Sequence, residues 1–82
     1  MSDEHKTRLM EFTIENKESL KIGQEVSVTE SKLPTSYYYT IEHALGMSGN
    51  FVSTERLKTR NGKVVEIKET PKFNVAVLEF NE

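Results

Sequence analysis

The stretch GKVVEIKETPKFNVAVLEF, residues 62–80, carries the strongest fold signal in this sequence. Two apolar runs, at 64–67 and 75–80, flank a short polar segment that contains Pro71 and Asn74. Runs of β-branched and aromatic residues bounded by turn-forming residues are typical of strands, so the stretch predicts a β-hairpin. Its second strand has apolar residues on both faces, which indicates a strand inside a barrel rather than at the edge of a sheet.

Two earlier stretches alternate apolar and polar side chains with the period of two that is typical of a half-buried strand. In the first stretch Met10, Phe12 and Ile14 share one face, and in the second stretch Val26 and Val28 do. Both patterns predict strands that turn one face toward a core.

Residues 31–55 are the least regular part of the chain, and we expect them to form an irregular insertion. The three tyrosines at 37–39 predict a short strand within it. Residues 41–46 predict one short helical turn, with Thr40 as the N-cap and Gly46 as the residue that ends it.

Four cations with no acid among them lie between residues 56 and 63. At positions 56, 58 and 60 the cations alternate with other residues, so a strand that begins near residue 54 would present these three cations on one face. Asn61 and Gly62 then predict a tight turn into the closing hairpin, since both residues tolerate positive φ. The four cations, which we call the basic stripe, are Arg56, Lys58, Arg60 and Lys63.

The chain has 82 residues, of which 11 are basic and 13 acidic, a net charge of −2 and no cysteine. This length predicts one small domain at residues 9–82, preceded by a flexible tail at residues 1–8. The charge balance gives no general attraction to nucleic acid or anionic lipid, and no apolar run is long enough for a membrane helix. Because the first residues are charged and cysteine is absent, we expect a soluble, cytoplasmic protein with no secretory signal.

Three pieces of the chain carry a family resemblance. Residues 21–28, KIGQEVSV, resemble the entry strand of small SH3-like barrels, and residues 62–67 and 74–80 resemble the closing strands of the same group, including its KOW-type members. In KOW-type modules these pieces lie close together, whereas here residues 29–61 intervene, so no RNA-binding role is transferred to any residue. With the strand patterns, the resemblance implies an all-β fold, a small five-stranded SH3-like barrel or roll.

Residues 44–49, ALGMSG, are similar to a helix-to-strand corner in the SH3-like accessory domain of bacterial ferrous-iron transport. This second resemblance implies a metal-linked accessory domain. The residues themselves predict no metal site, because His5 and His43 lack the spacing of metal ligands. With no cysteine, no strained serine elbow and no phosphate loop, we also expect no enzymatic activity and no cofactor.

Two features indicate binding. The first is the aromatic cluster, since exposed tyrosines are typical of binding surfaces; the structural alternative is that the rings cap one end of the barrel. The second is the basic stripe, which would track a phosphate backbone beside stacking rings or else form a solvated face paired with Glu25, Glu66 or Glu69. The aromatic cluster consists of Tyr37, Tyr38, Tyr39 and Phe51.

These features favour a non-catalytic module that contacts another protein through residues 31–60, because functional loops concentrate aromatic, glycine and charged residues outside the regular pattern. The alternative is a barrel that binds single-stranded nucleic acid or RNA through the basic stripe. The second alternative is the metal-linked accessory domain.

Overall fold

The computed structural model describes residues 7–82, apart from the side chain of Ala44. Within that range the chain forms six strands: β1 Arg8–Ile14, β2 Glu25–Lys32, β3 Tyr37–Ile41, β4 Gly46–Ser48, β5 Asn61–Glu69 and β6 Asn74–Phe80. Neighbouring strands are antiparallel in the order β1-β4-β3-β2-β5-β6, and β6 pairs with β1 to close the barrel. Three 3-10 turns, Lys17–Ser19, Glu42–Ala44 and Ser53–Glu55, lie in the connections. None of the described helices is long and apolar enough to cross a lipid bilayer.

The predicted small all-β barrel is confirmed, but it has six strands rather than five. The additional strand is β4, which pairs with both β1 and β3. The first residue of β4 is Gly46. A larger residue would not fit at this position, because a Cβ there would lie 2.7 Å from Cγ2 of Ile14. The sequence pattern missed β4 because three residues are too few to show alternation. Residues 31–55, expected to be an irregular insertion, contain both β3 and β4.

The predicted helical turn is a single 3-10 turn, Glu42–Ala44, that connects β3 to β4. Thr40 does not cap this turn, because it lies in β3, and no side chain supplies a cap hydrogen bond. His43 adopts the left-handed region with a φ of 67°. The chain reverses here between two paired strands within a few residues, which leaves no room for a regular α-helical turn.

The predicted basic strand and the predicted turn at Asn61 and Gly62 are wrong. These two residues begin β5 and pair with β2. Gly62 allows the close approach of Phe80, whose Cε1 would lie 2.7 Å from a Cβ at position 62. Residues 49–60, which we call the strap, run from the end of β4 to the start of β5. Their backbone meets the sheet at an isolated bridge between Phe51 and Tyr37 and at the Arg60 carbonyl, which accepts from the N–H of Val28 at 2.8 Å.

The closing hairpin is confirmed as β5 and β6, with one irregularity in its register. Strand β6 lies between β5 and β1, as the apolar residues on both its faces predicted. Val75 and Val77 lie on its outer face and are nevertheless buried. Lys68 of β5 stands opposite Val75, and Glu11 of β1 stands opposite Val77. The two charged side chains form an ion pair of 3.0 Å across β6 and so help to cover the valines.

Inward-facing side chains fill the barrel. The alternation predicted for the first two strands is confirmed, because Met10, Phe12, Ile14 and Val28 are buried and Val26 packs against them. Other strands and connections complete the core with Leu20, Tyr39, Ile41, Leu57, Val64, Ala76, Leu78 and Phe80.

The two ends of the barrel differ. The registers bring the starts of β1, β3 and β5 and the ends of β2, β4 and β6 together at one end, which the strap crosses. We call this the strap end. The opposite end carries the turn between β5 and β6. Of the predicted tail, residues 1–6 lie outside the described residues, and Arg8 is already the first residue of β1.

Candidate functional site at the strap end

Tyr39 attaches the strap to the barrel from inside. Its side chain is fully buried, and its hydroxyl donates to Oε2 of Glu30 at 2.7 Å while accepting from the backbone N–H of Leu57 at 2.7 Å. Burial, followed by the hydrogen bond to the Glu30 carboxylate, raises the pKa of Tyr39. Leu57 itself is buried, so the strap inserts an apolar side chain into the end of the barrel. Tyr39 is therefore a core residue.

Glu30 is the acidic residue with which two arginines pair at this end of the barrel. Nε and Nη2 of Arg56 donate to its two carboxylate oxygens at 3.0 and 2.7 Å, and Nη2 of Arg60 lies 3.3 Å from Oε1. These contacts, first among them the hydrogen bonds from Arg56 and then that from the Tyr39 hydroxyl, outweigh the effect of burial and lower the pKa of Glu30 from 4.5 to about 2. Two cations of the basic stripe are thus already paired within the chain.

Glu82 anchors the following residues of the strap. Its Oε2 accepts from the backbone N–H groups of Lys58 and Thr59 at 2.8 and 3.0 Å and from the Thr59 hydroxyl at 3.1 Å. Burial opposes ionisation of this carboxyl, but the hydrogen bonds from Thr59 and Lys58 outweigh burial and lower its pKa. Arg8 of β1 lies 3.6 Å from the other oxygen of Glu82. The strap is therefore held by side chains and by a few separate backbone hydrogen bonds rather than by a continuous strand ladder.

Arginines cover the aromatic rings at the strap end. The Arg56 guanidinium lies 4.5 Å from the ring centroid of Tyr37, and the Arg8 guanidinium lies 5.4 Å from that of Phe51. Arg60 stands 5.9 Å from the ring of Tyr39. Each contact is a cation–π arrangement within the chain. The faces that a stacked base would use are therefore partly occupied by guanidinium groups.

The basic stripe is not a single strand face. Arg56, Lys58 and Arg60 lie on the strap, whereas Lys63 lies on β5. Among the ion pairs of residues 7–82, those of Arg56 and Arg60 both involve Glu30, rather than the acids expected across the sheet. In the register, however, Lys63 does stand opposite one of those acids, Glu25 of β2.

The aromatic cluster is also divided. Tyr37 and Phe51 are half-buried and exchange two backbone hydrogen bonds of 2.7 Å, which join the start of β3 to the strap. Tyr38 is half-buried opposite Ser31 of β2, on the face of the sheet opposite to that of Tyr39. Of the predicted binding residues, Tyr37, Phe51 and Arg56 lie close together, while Tyr38 and Lys63 stand apart from them.

A groove of about 290 Å³ opens beside this cluster, between the β2–β3 connection and the strap. We call it the strap-end groove. Leu33 and Val52 line it with side chains that are 36% and 51% exposed, and Lys32 is its one charged lining residue. Pro34, Tyr37 and the hydroxyl-bearing residues Thr35, Ser36 and Ser53 complete the lining.

A second groove, of about 350 Å³, lies on the side of the barrel. It includes Met47, whose side chain is 52% exposed, and Glu15 is its one charged lining residue. It is larger and more apolar than the strap-end groove but lies outside the cluster of cations and aromatic rings.

The residues that sequence reasoning missed are mainly Glu30, Glu82, Leu33 and Val52. The sequence does contain a signal for Glu30, because this residue occupies the next inward-facing position after Val26 and Val28 on β2. An acid at an inward position must find partners, since burying an unpaired charge is costly. Glu82 and the groove residues have no such signal, because the folding of the strap alone brings them to the site.

The described residues contain no group of three or more histidines, cysteines or acids that would hold a metal ion. His43 is exposed in its turn, and His5 lies outside the described residues. Comparisons with protein-family models, with curated proteins and with solved structures found no match. They therefore add no support to the SH3-like, KOW-type or iron-transport resemblances.

Proposed function

We propose that the chain is a non-catalytic, cytoplasmic protein-interaction module that binds its partner at the strap-end groove. The observation that carries this proposal is the position of Leu33 and Val52, two exposed apolar side chains that line one groove from separate segments. Exposed apolar side chains gathered in a concave site, with polar groups around them, are typical of binding surfaces.

The walls of the groove are held in place before any partner arrives. The backbone N–H of Leu33 donates to the carbonyl of Ser36 at 2.7 Å, which closes the β2–β3 connection. The two hydrogen bonds between Tyr37 and Phe51 fix the other wall to β3. A preorganised surface of this kind loses little conformational entropy on binding, so more of the interaction energy contributes to affinity.

Photo-crosslinking in the cells that make the protein tests this proposal. A benzophenone amino acid replaces Val52 in one variant and Met47, which is equally exposed, in the control variant. We expect irradiation to link a partner protein to position 52 and not to position 47. Adducts at position 47 alone, or no adduct at position 52, would contradict the proposal.

Binding of single-stranded nucleic acid through the basic stripe receives less support. Arg56 and Arg60 are paired with Glu30, and Arg56 also covers the ring of Tyr37. A phosphate-tracking site needs free cations in a row and open rings for stacking. A metal-linked accessory role is supported by no ligand group among residues 7–82.

A further inference from the structure

We propose that the partner presents an extended acidic peptide segment whose bulky apolar side chain enters the strap-end groove while a neighbouring carboxylate pairs with Lys32. This inference depends on the proposed interaction function and names the chemistry of its partner.

The first support for this inference is the distribution of charge. The chain as a whole is negative, yet within residues 7–82 the strap, with the side chains that hold it or line its groove, carries five cations against three acids. The cations are Arg8, Lys32, Arg56, Lys58 and Arg60, and the acids are Glu30, Glu55 and Glu82.

The acids at this end are largely engaged inside the molecule. Glu30 accepts from Tyr39 and Arg56, Glu82 accepts from the strap backbone, and Glu55 accepts from the backbone N–H of Val52 at 3.3 Å. The ion pairs of residues 7–82 include neither Lys32 nor Lys58. An incoming carboxylate therefore meets two ammonium groups that form no ion pair with an acid of residues 7–82, and opposite potentials of this kind favour encounter with acidic partners.

The size and lining of the groove favour a peptide side chain. Pockets for drug-sized molecules run from about 300 to 1,000 Å³, so a groove of about 290 Å³ suits one or two side chains. Most of its exposed lining is polar, and its three aliphatic residues, Leu33, Pro34 and Val52, are the contacts it offers to a leucine, isoleucine or phenylalanine. Hydroxyls of Thr35, Ser36 and Ser53 lie beside it as hydrogen-bonding groups for a peptide backbone.

A random dodecapeptide phage library selected on the immobilised wild-type domain tests the inference. We expect enriched sequences that place an aspartate or glutamate beside a bulky apolar residue. A synthetic, fluorescent copy of the most enriched peptide then gives the dissociation constant by fluorescence polarisation. That constant should rise with salt, because exposed charge pairs are screened.

Two variants of the groove and two matched controls locate the binding. Lys32→Glu and Val52→Ser should each weaken binding by about tenfold or more, which corresponds to about 1.4 kcal/mol. Lys72→Glu, at the opposite end, and Met47→Ser, at the side groove, should change the constant by less than about twofold. All four side chains are exposed, so unchanged thermal melting is expected and shows that each variant is folded.

Several outcomes would overturn the inference. These are enrichment of basic or uncharged peptides, no enrichment at all, and loss of binding in Met47→Ser rather than Val52→Ser. Tighter binding of a fluorescent oligothymidylate than of any peptide, lost in Lys32→Glu, would assign the cations to nucleic acid instead. If position 52 crosslinks to a protein in cells while no acidic peptide is selected, the interaction function stands and the partner chemistry inferred here is wrong.

Discussion

Tyr39 links the core of the barrel to its irregular strap through one hydroxyl group. That hydroxyl satisfies both the carboxylate of Glu30 and the backbone N–H of Leu57, two groups that are shielded from water. Buried polar groups are costly when they lose a partner, so the hydroxyl is worth more here than an exposed one would be. Its position inside the fold explains why a tyrosine rather than a phenylalanine fills this part of the core.

Tyr39→Phe should therefore lower the free energy of unfolding by about 1 to 3 kcal/mol, since it leaves the buried Leu57 N–H without its acceptor and removes one of the two hydrogen bonds to Oε2 of Glu30. Tyr38→Phe, at the half-buried neighbouring position, is the matched control and should change stability by less than about 0.5 kcal/mol. Urea unfolding at neutral pH measures both. Equal effects of the two substitutions would show that the hydroxyl of Tyr39 does not hold the strap.

Glu30 makes stability depend on pH. Its pKa is about 2 in the folded chain, below the ordinary value of 4.5, because Arg56 and Tyr39 stabilise the carboxylate. Since the folded pKa is the lower one, the stabilisation is fully present above pH 4.5 and is lost as the pH falls from there toward 2.

We expect unfolding experiments from pH 6 to pH 2 to show a loss of stability in the wild type that is shallower in Glu30→Gln. At neutral pH the Glu30→Gln variant should be the less stable of the two, because Arg56 and Arg60 lose their charged partner. Parallel pH profiles for the two proteins would be incompatible with this role of Glu30.

At the scale of elements, the closing hairpin and the strap differ in how they are held. Strand β6 is paired along its length on both sides, so its register with β1 and β5 is defined by backbone hydrogen bonds and by the inward phase of its side chains. The strap is held by Glu82, Glu30 and Tyr39, which are distant from it in sequence.

This difference explains what the sequence could and could not predict. Hairpin and strand patterns are local, so the alternation of Met10, Phe12 and Ile14 and the apolar runs of β5 and β6 were predicted correctly. The strap depends on contacts between residues such as Arg56 and Glu30, which local patterns do not encode. Alternation of cations at 56, 58 and 60 therefore suggested a strand where the structure has none.

Gly62 gives a test at the level of strand packing. Gly62→Ala should destabilise the fold by about 1 to 3 kcal/mol, because the new methyl group would lie 2.7 Å from the ring of Phe80. Gly49→Ala is the control, since nothing lies within 4 Å of a Cβ there. Chemical denaturation of both variants measures the difference.

The double variant Gly62→Ala with Phe80→Leu separates steric conflict from other effects of the substitution. If the methyl group conflicts with the ring, the two substitutions together should cost less than the sum of their separate costs. Strict additivity would show that the proximity of Gly62 to Phe80 is not the cause.

The whole molecule combines a closed barrel with an uneven distribution of charge. The barrel provides a rigid frame, and the strap end carries all three arginines and the groove that Leu33 and Val52 line. The sequence predicted that residues 31–60 would carry the function, but it could not predict the groove, because the two walls of the groove meet only when the strap folds back on β3. Nucleic-acid stacking finds less support in this arrangement than contact with an acidic protein segment, because Arg56 and Arg60 are paired with Glu30 and Arg56 covers the ring of Tyr37.

The most direct test of this account is an amide chemical-shift map of the ¹⁵N-labelled domain titrated with the selected acidic peptide. We predict that the largest shifts fall on residues 32–37 and 51–56, on both sides of the strap-end groove, and that the opposite end of the barrel is unaffected. Largest shifts around Met47 and Glu15, at the side groove, would contradict it.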